Sequence, residues 1–368
     1  MTGLAIRPDL RRKAAQLPWL HIARWFTGVI CVGAVIAVVL NIADIERLLA
    51  IIRGIEPLWL LLALVTQAMT YAAAAGIWLQ VLHANGSPVP FHVLYRLSLA
   101  QLFAEQALPS SGVSGALLVV KGLVNRGIEE ATGMGCMLVG MISYYAGYLL
   151  AILASFIILF SEHDRHDPHM MVLVLPLLVV AGFFCLLIVA VLGLVFWLRR
   201  RGGLAQLPTR WQSWLQRWRT GWSMLERLVQ MLGEAPAALL RNRSLLSRAT
   251  ALQITVFLID AVTFTIMLQA IGTHLRYDIV FACFVLASLV GSVLPVPLGL
   301  GSFEASCVAL LHLFLVPVET GLVAVLLLRG FTFWLPMLPG LWLAHRELRA
   351  LQPRGEDIDQ HLEERISS

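Results

Sequence analysis

The sequence predicts an all-α polytopic membrane protein, with about six full transmembrane helices plus two inverted re-entrant helical hairpins. Three observations point there. Hydrophobic residues make up 59% of the 368-residue chain and charged residues only 13%, where a soluble domain carries about 25% charged. Several apolar runs reach about 20 residues, enough to cross a bilayer as helix. Two other apolar regions are broken by proline and glycine. The alternating segments of about 10 residues that a transmembrane β-barrel needs are absent.

Residues 1–24 carry Arg7, Arg11, Arg12, Lys13 and Arg24. Basic flanks stay on the cytoplasmic side, so this segment is cytoplasmic. The apolar run behind it has no small-residue cleavage site and is followed by other spans. It is therefore expected to be an uncleaved first helix at about 25–41. Residues 42–56 form a short amphipathic connection. Pro57 suits the first turn of a helix, and the second span runs to about Leu82. Its run Ala72-Ala73-Ala74-Ala75-Gly76 lets another helix approach closely. Asn85-Gly86-Ser87-Pro88 is a turn.

Phe91 to Leu108 reads as a helix bearing Arg96, Gln101, Glu105 and Gln106. It breaks at Pro109, Gly112 and Gly115 and resumes through Val124 with Lys121 inside. Both arms are too short and too polar to span alone, so residues 91–127 read as a re-entrant hairpin. The next span, 131–160, holds Tyr144, Tyr145 and Tyr148 near its middle. The acidic loop 161–169 is external, and 170–198 returns, completing a first transmembrane half at 25–198. His163, His166 and His169 alternate with Asp164 and Asp167, but Pro168 interrupts the helix that would converge them. A solvated loop is expected there, with no metal.

Residues 199–248 form a polar insertion with ten arginines, no lysine and two acids. Trp211, Trp214, Trp218 and Trp222 share one helical face, with Arg217, Arg219 and Arg227 off it. That pattern describes an amphipathic segment on the cytoplasmic leaflet. The second transmembrane half, 249–345, opens with a span at about 249–271 containing Asp260. Residues 279–316 form the second hairpin, broken at Leu294-Pro295-Val296-Pro297-Leu298-Gly299-Leu300-Gly301 and followed at once by Glu304. Proline removes a backbone donor, and in lipid an unpaired backbone group costs several kcal/mol. Such a break survives only when buried in protein or lining a wet cavity. The last span, 318–344, holds Arg329, and the polar tail 346–368 is cytoplasmic.

The two broken regions resemble each other. Leu99-Ala100-Gln101-Leu102 before Pro109 parallels Leu286-Ala287-Ser288-Leu289 before Pro295, with the offset slipping by one residue. Counting spans from a cytoplasmic N-terminus sends the hairpins in from opposite sides. Paired interrupted segments of opposite orientation point to inverted-repeat transporters, whose sites lie near the midplane.

Glu105, Lys121, Asp260, Glu304 and Arg329 fall at membrane depth. A lone charge at a helix centre costs about 2.5–3.5 kcal/mol even on the lenient insertion scale. They should face inward and pair, Glu304 or Asp260 with Arg329 and Glu105 with Lys121. The basic members are then placed to grip a lipid phosphate. The net charge of +5 is almost all arginine, since Lys13 and Lys121 are the only lysines. The charge sits at membrane ends, which argues for lipid headgroups and against nucleic acid. Cys31, Cys136, Cys185, Cys283 and Cys307 lie in apolar segments without C-x-x-C spacing, so buried free thiols are expected.

At the second break the chain resembles the lysyl-phosphatidylglycerol synthase transmembrane family, the flippase-like domain of the multiple peptide resistance factors and their stand-alone relatives. That family shows P-x-P-G-G-x-G-x-x-E, then a helix, then an arginine in the last span. Pro295, Pro297, Gly299, Gly301, Glu304 and Arg329 stand at those places, with Leu298 replacing one glycine. At the first break Pro109, Gly112 and Gly115 fit, while Ala116 replaces an acid and Lys121 an arginine. The likeness covers roughly residues 20–345.

The resemblance implies a lipid flippase of the inner membrane, without the aminoacyl-transferase domain. No G-x-x-x-x-G-K-[ST] is present, and no cofactor is expected. Membrane lipids, and a lipid synthase, are the expected partners. Two other classes stay open: an accessory protein of lipid or envelope biosynthesis that moves nothing, and a membrane-embedded lipid-modifying enzyme. Enzyme chemistry needs a positioned nucleophile, base or metal. No such set converges in the sequence, so the chain is expected not to be an enzyme.

Overall fold

The computed structural model describes residues 53–107, 113–162, 237–293 and 301–349, with four helical residues between 178 and 182. The expected first span, most of the returning span at 170–198, the tryptophan face and both hairpin breaks (Pro109, Gly112, Pro295, Pro297 and Gly299 among them) lie outside these residues. So do the histidine loop, Cys31 and Cys185. The chain divides into two units, Met1–Gly54 and Ile55–Ser368, and the helices below belong to the second.

In chain order the helices are α1 (Pro57–Ala84), α2 (Phe91–Ala107), α3 (Val113–Val124), α4 (Glu130–Glu162), α5 (Ala237–Arg241) and α6 (Arg243–Ala270). Then come α7 (Tyr277–Val293), α8 (Ser302–Leu313), α9 (Val318–Arg329) and α10 (Leu335–Arg349), the last two joined by a π turn, Gly330–Trp334. No strand occurs among the described residues. α1, α4, α6 and the α9–α10 rod are each long and apolar enough to cross a membrane. At 1.5 Å per residue, a helix of 28 residues reaches about 42 Å, beyond the roughly 30 Å hydrocarbon core. These four match four of the six expected spans. The third of them starts at Arg243, inside the stretch expected to be interfacial. The reason is a cap: the Asn242 side chain accepts from the Leu245 N–H at 3.1 Å.

The distribution of side chains is that of a protein in lipid. Leu58, Leu61, Leu64 and Met69 on α1, and Leu150, Leu153, Ile157 and Phe160 on α4, point outward. Gln67, Thr70, Thr132, Ser143, Ser155 and Thr263 are buried. Cys136, Cys283 and Cys307 are buried free thiols, as expected.

α6 runs antiparallel along α1. Leu252 packs over Gly76, at the end of the small-residue run. Asp260 meets Gln67 and Thr70, and Thr263 meets Thr66. Because α1 and α6 point in opposite directions, the helices that follow them start from opposite ends of the bundle. α2 follows α1 through the Asn85–Pro88 turn, and α7 follows α6 through a six-residue loop.

Both then turn back. α2 and α3 are antiparallel, since Gly115 lies against Gln101 and Glu105 while Gly122 lies against Leu97. A Cβ at Gly115 would come within 2.8 Å of the Gln101 carbonyl oxygen. At the other end, Gly291 of α7 packs on Phe303 of α8. α3 and α8 have 12 residues each, about 18 Å, too short to cross.

The hairpins are also exchanged between the halves. α2 packs on α10, and α7 packs on α4. At the first contact a Cβ on Gly340 would lie 2.7 Å from the Leu99 carbonyl oxygen. Arg126, just past α3, forms a two-pronged ion pair with Glu347 of α10, at 2.9 and 2.7 Å.

The π turn has a visible cause. Pro336 has no N–H to give the Thr332 carbonyl. That carbonyl is met instead by the Tyr71 hydroxyl at 3.5 Å, the limit of hydrogen-bonding range. The Leu335 N–H reaches back to the Gly330 carbonyl in the wider π pattern.

Two outcomes follow. Gly340→Leu presses a side chain into backbone that cannot move, so it should cost about 1–3 kcal/mol, read as a lower unfolding temperature in detergent. Gly86→Leu, with open space around it, is a control for substitution without a clash, apart from its backbone strain. Arg126→Glu should weaken the fold by about 1 kcal/mol or less, the range of partly exposed pairs. Combining it with Glu347→Arg should recover part of the loss; a double variant no better than the sum of the singles would sink the pairing.

Candidate functional site

The second hairpin builds its site around one carboxylate. Gly301, with φ of 86°, precedes α8 in a conformation that favours glycine. Three residues on, Glu304 reaches back, and its Oε2 accepts the Gly301 N–H at 2.6 Å. This is the acidic half of a capping box. It pairs a backbone donor that the break would leave unpaired. Oε1 of the same carboxylate lies 2.9 Å from Nε of Arg329 on α9. The Nε–H is not aligned on it as a hydrogen bond, so the attraction is chiefly Coulombic.

Arg329 is held from the sides by aromatic rings. Its guanidinium carbon sits 4.4 Å from the Phe303 ring centroid and 5.5 Å from that of Phe333. Rings attract a cation by about 0.5–2 kcal/mol, more when water is excluded. Both side chains of the ion pair are largely buried, at 17% and 13% exposure. The expected partner of Arg329 is therefore Glu304. Asp260 has other company.

Asp260 lies between α6 and α1. Its Oδ1 accepts from Thr70 Oγ1 at 3.1 Å and from Gln67 Nε2 at 3.3 Å. Beside it Phe257 stacks on Tyr148, with ring centroids 5.3 Å apart, and also meets Tyr144. Gly147 lets α4 close on Gln253 there.

Glu105 and Lys121 do not pair among the described residues. Gln101 Nε2 donates to Glu105 Oε1 at 2.6 Å, one turn away on the same helix. Gly115 is the α3 residue facing them, and Lys121 stands six residues further on. That is about 9 Å along the axis and well round the helix. Lys121 is exposed, and its neighbour Gly122 lies beside Arg126 and Glu347. It is therefore close to the end of the hairpin, where a long lysine side chain extends to the headgroup region.

The sequence reading did not single out Gln67, Thr70, Phe303 or Phe333 as site residues. Thr66, Gln67 and Thr70 at helical spacing in an apolar span were the available signal for the first two.

Comparison with curated proteins gives no match. The sequence model of the family described as Lysylphosphatidylglycerol synthase TM region matches residues 25–340. That span takes in both hairpins, Glu304 and Arg329, and the chain belongs to this family.

Proposed function

We propose that this chain moves a headgroup-bearing membrane lipid between leaflets, as a flippase with no chemistry of its own. The observation that carries the reading is Arg329. It is a cation at the depth of an apolar rod, held by Glu304 on the second of two hairpins that start from opposite ends of the bundle. Each hairpin stands between two spans, α1 and α4 for the first and α6 and the α9–α10 rod for the second, and α1 and α6 are antiparallel; this order supports an inverted repeat with its site between the halves. The family's name points to phosphatidylglycerol and its derivatives as the lipid class. The proposed setting is the inner membrane with both termini cytoplasmic.

In this reading an arriving phosphate competes with Glu304 for Arg329, whose planar guanidinium suits phosphate oxygens. Lys121 at the end of the first hairpin meets the headgroup first. Glu105 adds negative charge that disfavours anions lacking a compensating cation, as does Asp260 whenever its carboxylate is unoccupied. Glu304 stays as the cap of α8, so the hairpin keeps its shape while its charge partner is exchanged.

The test is reconstitution in vesicles with fluorescent phosphatidylglycerol, following quenching by an external reductant. Arg329→Ala removes a charged hydrogen-bonding partner worth about 1.5–3 kcal/mol, so exchange should slow by about 10- to 100-fold. Its elution as a single folded species should not change. Glu304→Gln keeps an oxygen for the Gly301 N–H and should fold. Glu304→Ala loses both roles and should also lower the unfolding temperature. Wild-type exchange rates in Arg329→Ala would overturn the site. Lipid binding without exchange by the wild type would instead make the chain an accessory protein.

A further inference from the structure

The contact between α1 and α6 gathers side-chain oxygens, and one of them has no hydrogen-bond partner. Thr66 Oγ1 reaches the Ala63 carbonyl at 3.0 Å and Thr263 Oγ1 at 2.8 Å. Thr263 Oγ1 also reaches the Ile259 carbonyl at 3.1 Å. Thr70 Oγ1 reaches both the Thr66 carbonyl at 3.3 Å and Asp260 Oδ1 at 3.1 Å. The three carbonyls among these acceptors also take helical N–H groups, so the hydroxyl oxygens keep lone pairs to offer. Gln67 gives its amide N–H to Asp260, and its Oε1 is buried with no partner, in a residue only 4% exposed.

An unpaired amide oxygen beside a carboxylate at this depth is costly. A small cation would offset both. Five side chains offer oxygens here: the Asp260 carboxylate, the hydroxyls of Thr66, Thr70 and Thr263, and the Gln67 amide oxygen. Carboxylate, hydroxyl and carbonyl oxygens are the ligands that hard cations take. The single negative charge matches a single positive one. No group of three or more His, Cys, Asp or Glu gathers among the described residues, so the set suits a monovalent ion.

We propose that Asp260, Thr66, Gln67, Thr70 and Thr263 form a sodium-binding site where α1 and α6 cross. A proton on Asp260 is the competing occupant. Among the described residues, the other ionisable groups within electrostatic reach of Asp260 are Tyr71 of α1 and Tyr144 of α4. Tyrosine ionises only near pH 10, so neither supplies charge at neutral pH. The site joins α1 to α6, so its occupancy sets how firmly the halves hold together. A sodium gradient would then drive lipid movement. That last step rests on the flippase reading, but ion binding does not.

The experiment is binding of radiolabelled sodium to the purified full chain in detergent, with no lipid transport in the readout. The expected result at mildly alkaline pH is saturable binding of one ion per chain, lost as pH falls. Asp260→Asn should abolish it, and Thr70→Val and Thr263→Val should each weaken it about tenfold. Sodium should raise the unfolding temperature of the wild type and not of Asp260→Asn. If Asp260→Asn fails to fold, the two threonine variants decide. Unchanged sodium affinity in both overturns the proposal. So does the absence of saturable binding in the wild type, including the case where infrared spectra show Asp260 taking up only a proton. Exchange of lipid without sodium binding would leave the flippase standing and remove the site.

Discussion

The antiparallel crossing of α1 and α6 is the contact on which the rest of the structure depends. In lipid there is no hydrophobic drive to bring two apolar helices together, so close packing at small residues and shared hydrogen bonds must do it. Here Gly76 provides the approach and the Thr66–Thr263 and Asp260 contacts provide the bonds. The direction of that one crossing decides where α2 and α7 begin. Their opposed hairpins are a geometric consequence of it, and each then packs on a helix of the other half, α2 on α10 and α7 on α4.

The second constraint is the backbone itself. Where the helices break, each N–H and carbonyl needs a local answer, and side chains give it. Glu304 takes the Gly301 N–H, and Tyr71 turns toward the Thr332 carbonyl that Pro336 leaves without its usual donor. Glu304, a residue of the proposed site, thus also holds the chain's shape. Substitution there changes two things at once unless the variant separates them.

Much of this was legible in the sequence, for physical reasons. Length and hydropathy mark a span because the bilayer sets both, and four expected spans appear as helices. Proline, glycine and shortness marked α2–α3 and α7–α8 because unpaired backbone is so costly in lipid. The cost of a buried charge led to Glu304 and Arg329. The same economy misjudged Glu105 and Lys121, because it places residues by depth and says nothing of rotation about the axis. The Asp260 partners were not legible. Hydrogen bonds between residues 190 and 193 positions apart leave no local pattern. Gly340 gave no warning either, since its meaning lies entirely in the Leu99 carbonyl opposite it.

The docking of α2 on α10 bears on how the chain is made. α2 emerges from the ribosome early, and α10 is the final described helix. Arg126 and Glu347, which lock the pair, are 221 residues apart. An arm carrying Arg96, Gln101 and Glu105 must wait beside the nascent bundle, polar and half covered, until its partner arrives. Membrane insertion therefore cannot finish helix by helix in order of synthesis. The first hairpin is translated well before α10 and finds its place only when α10 arrives.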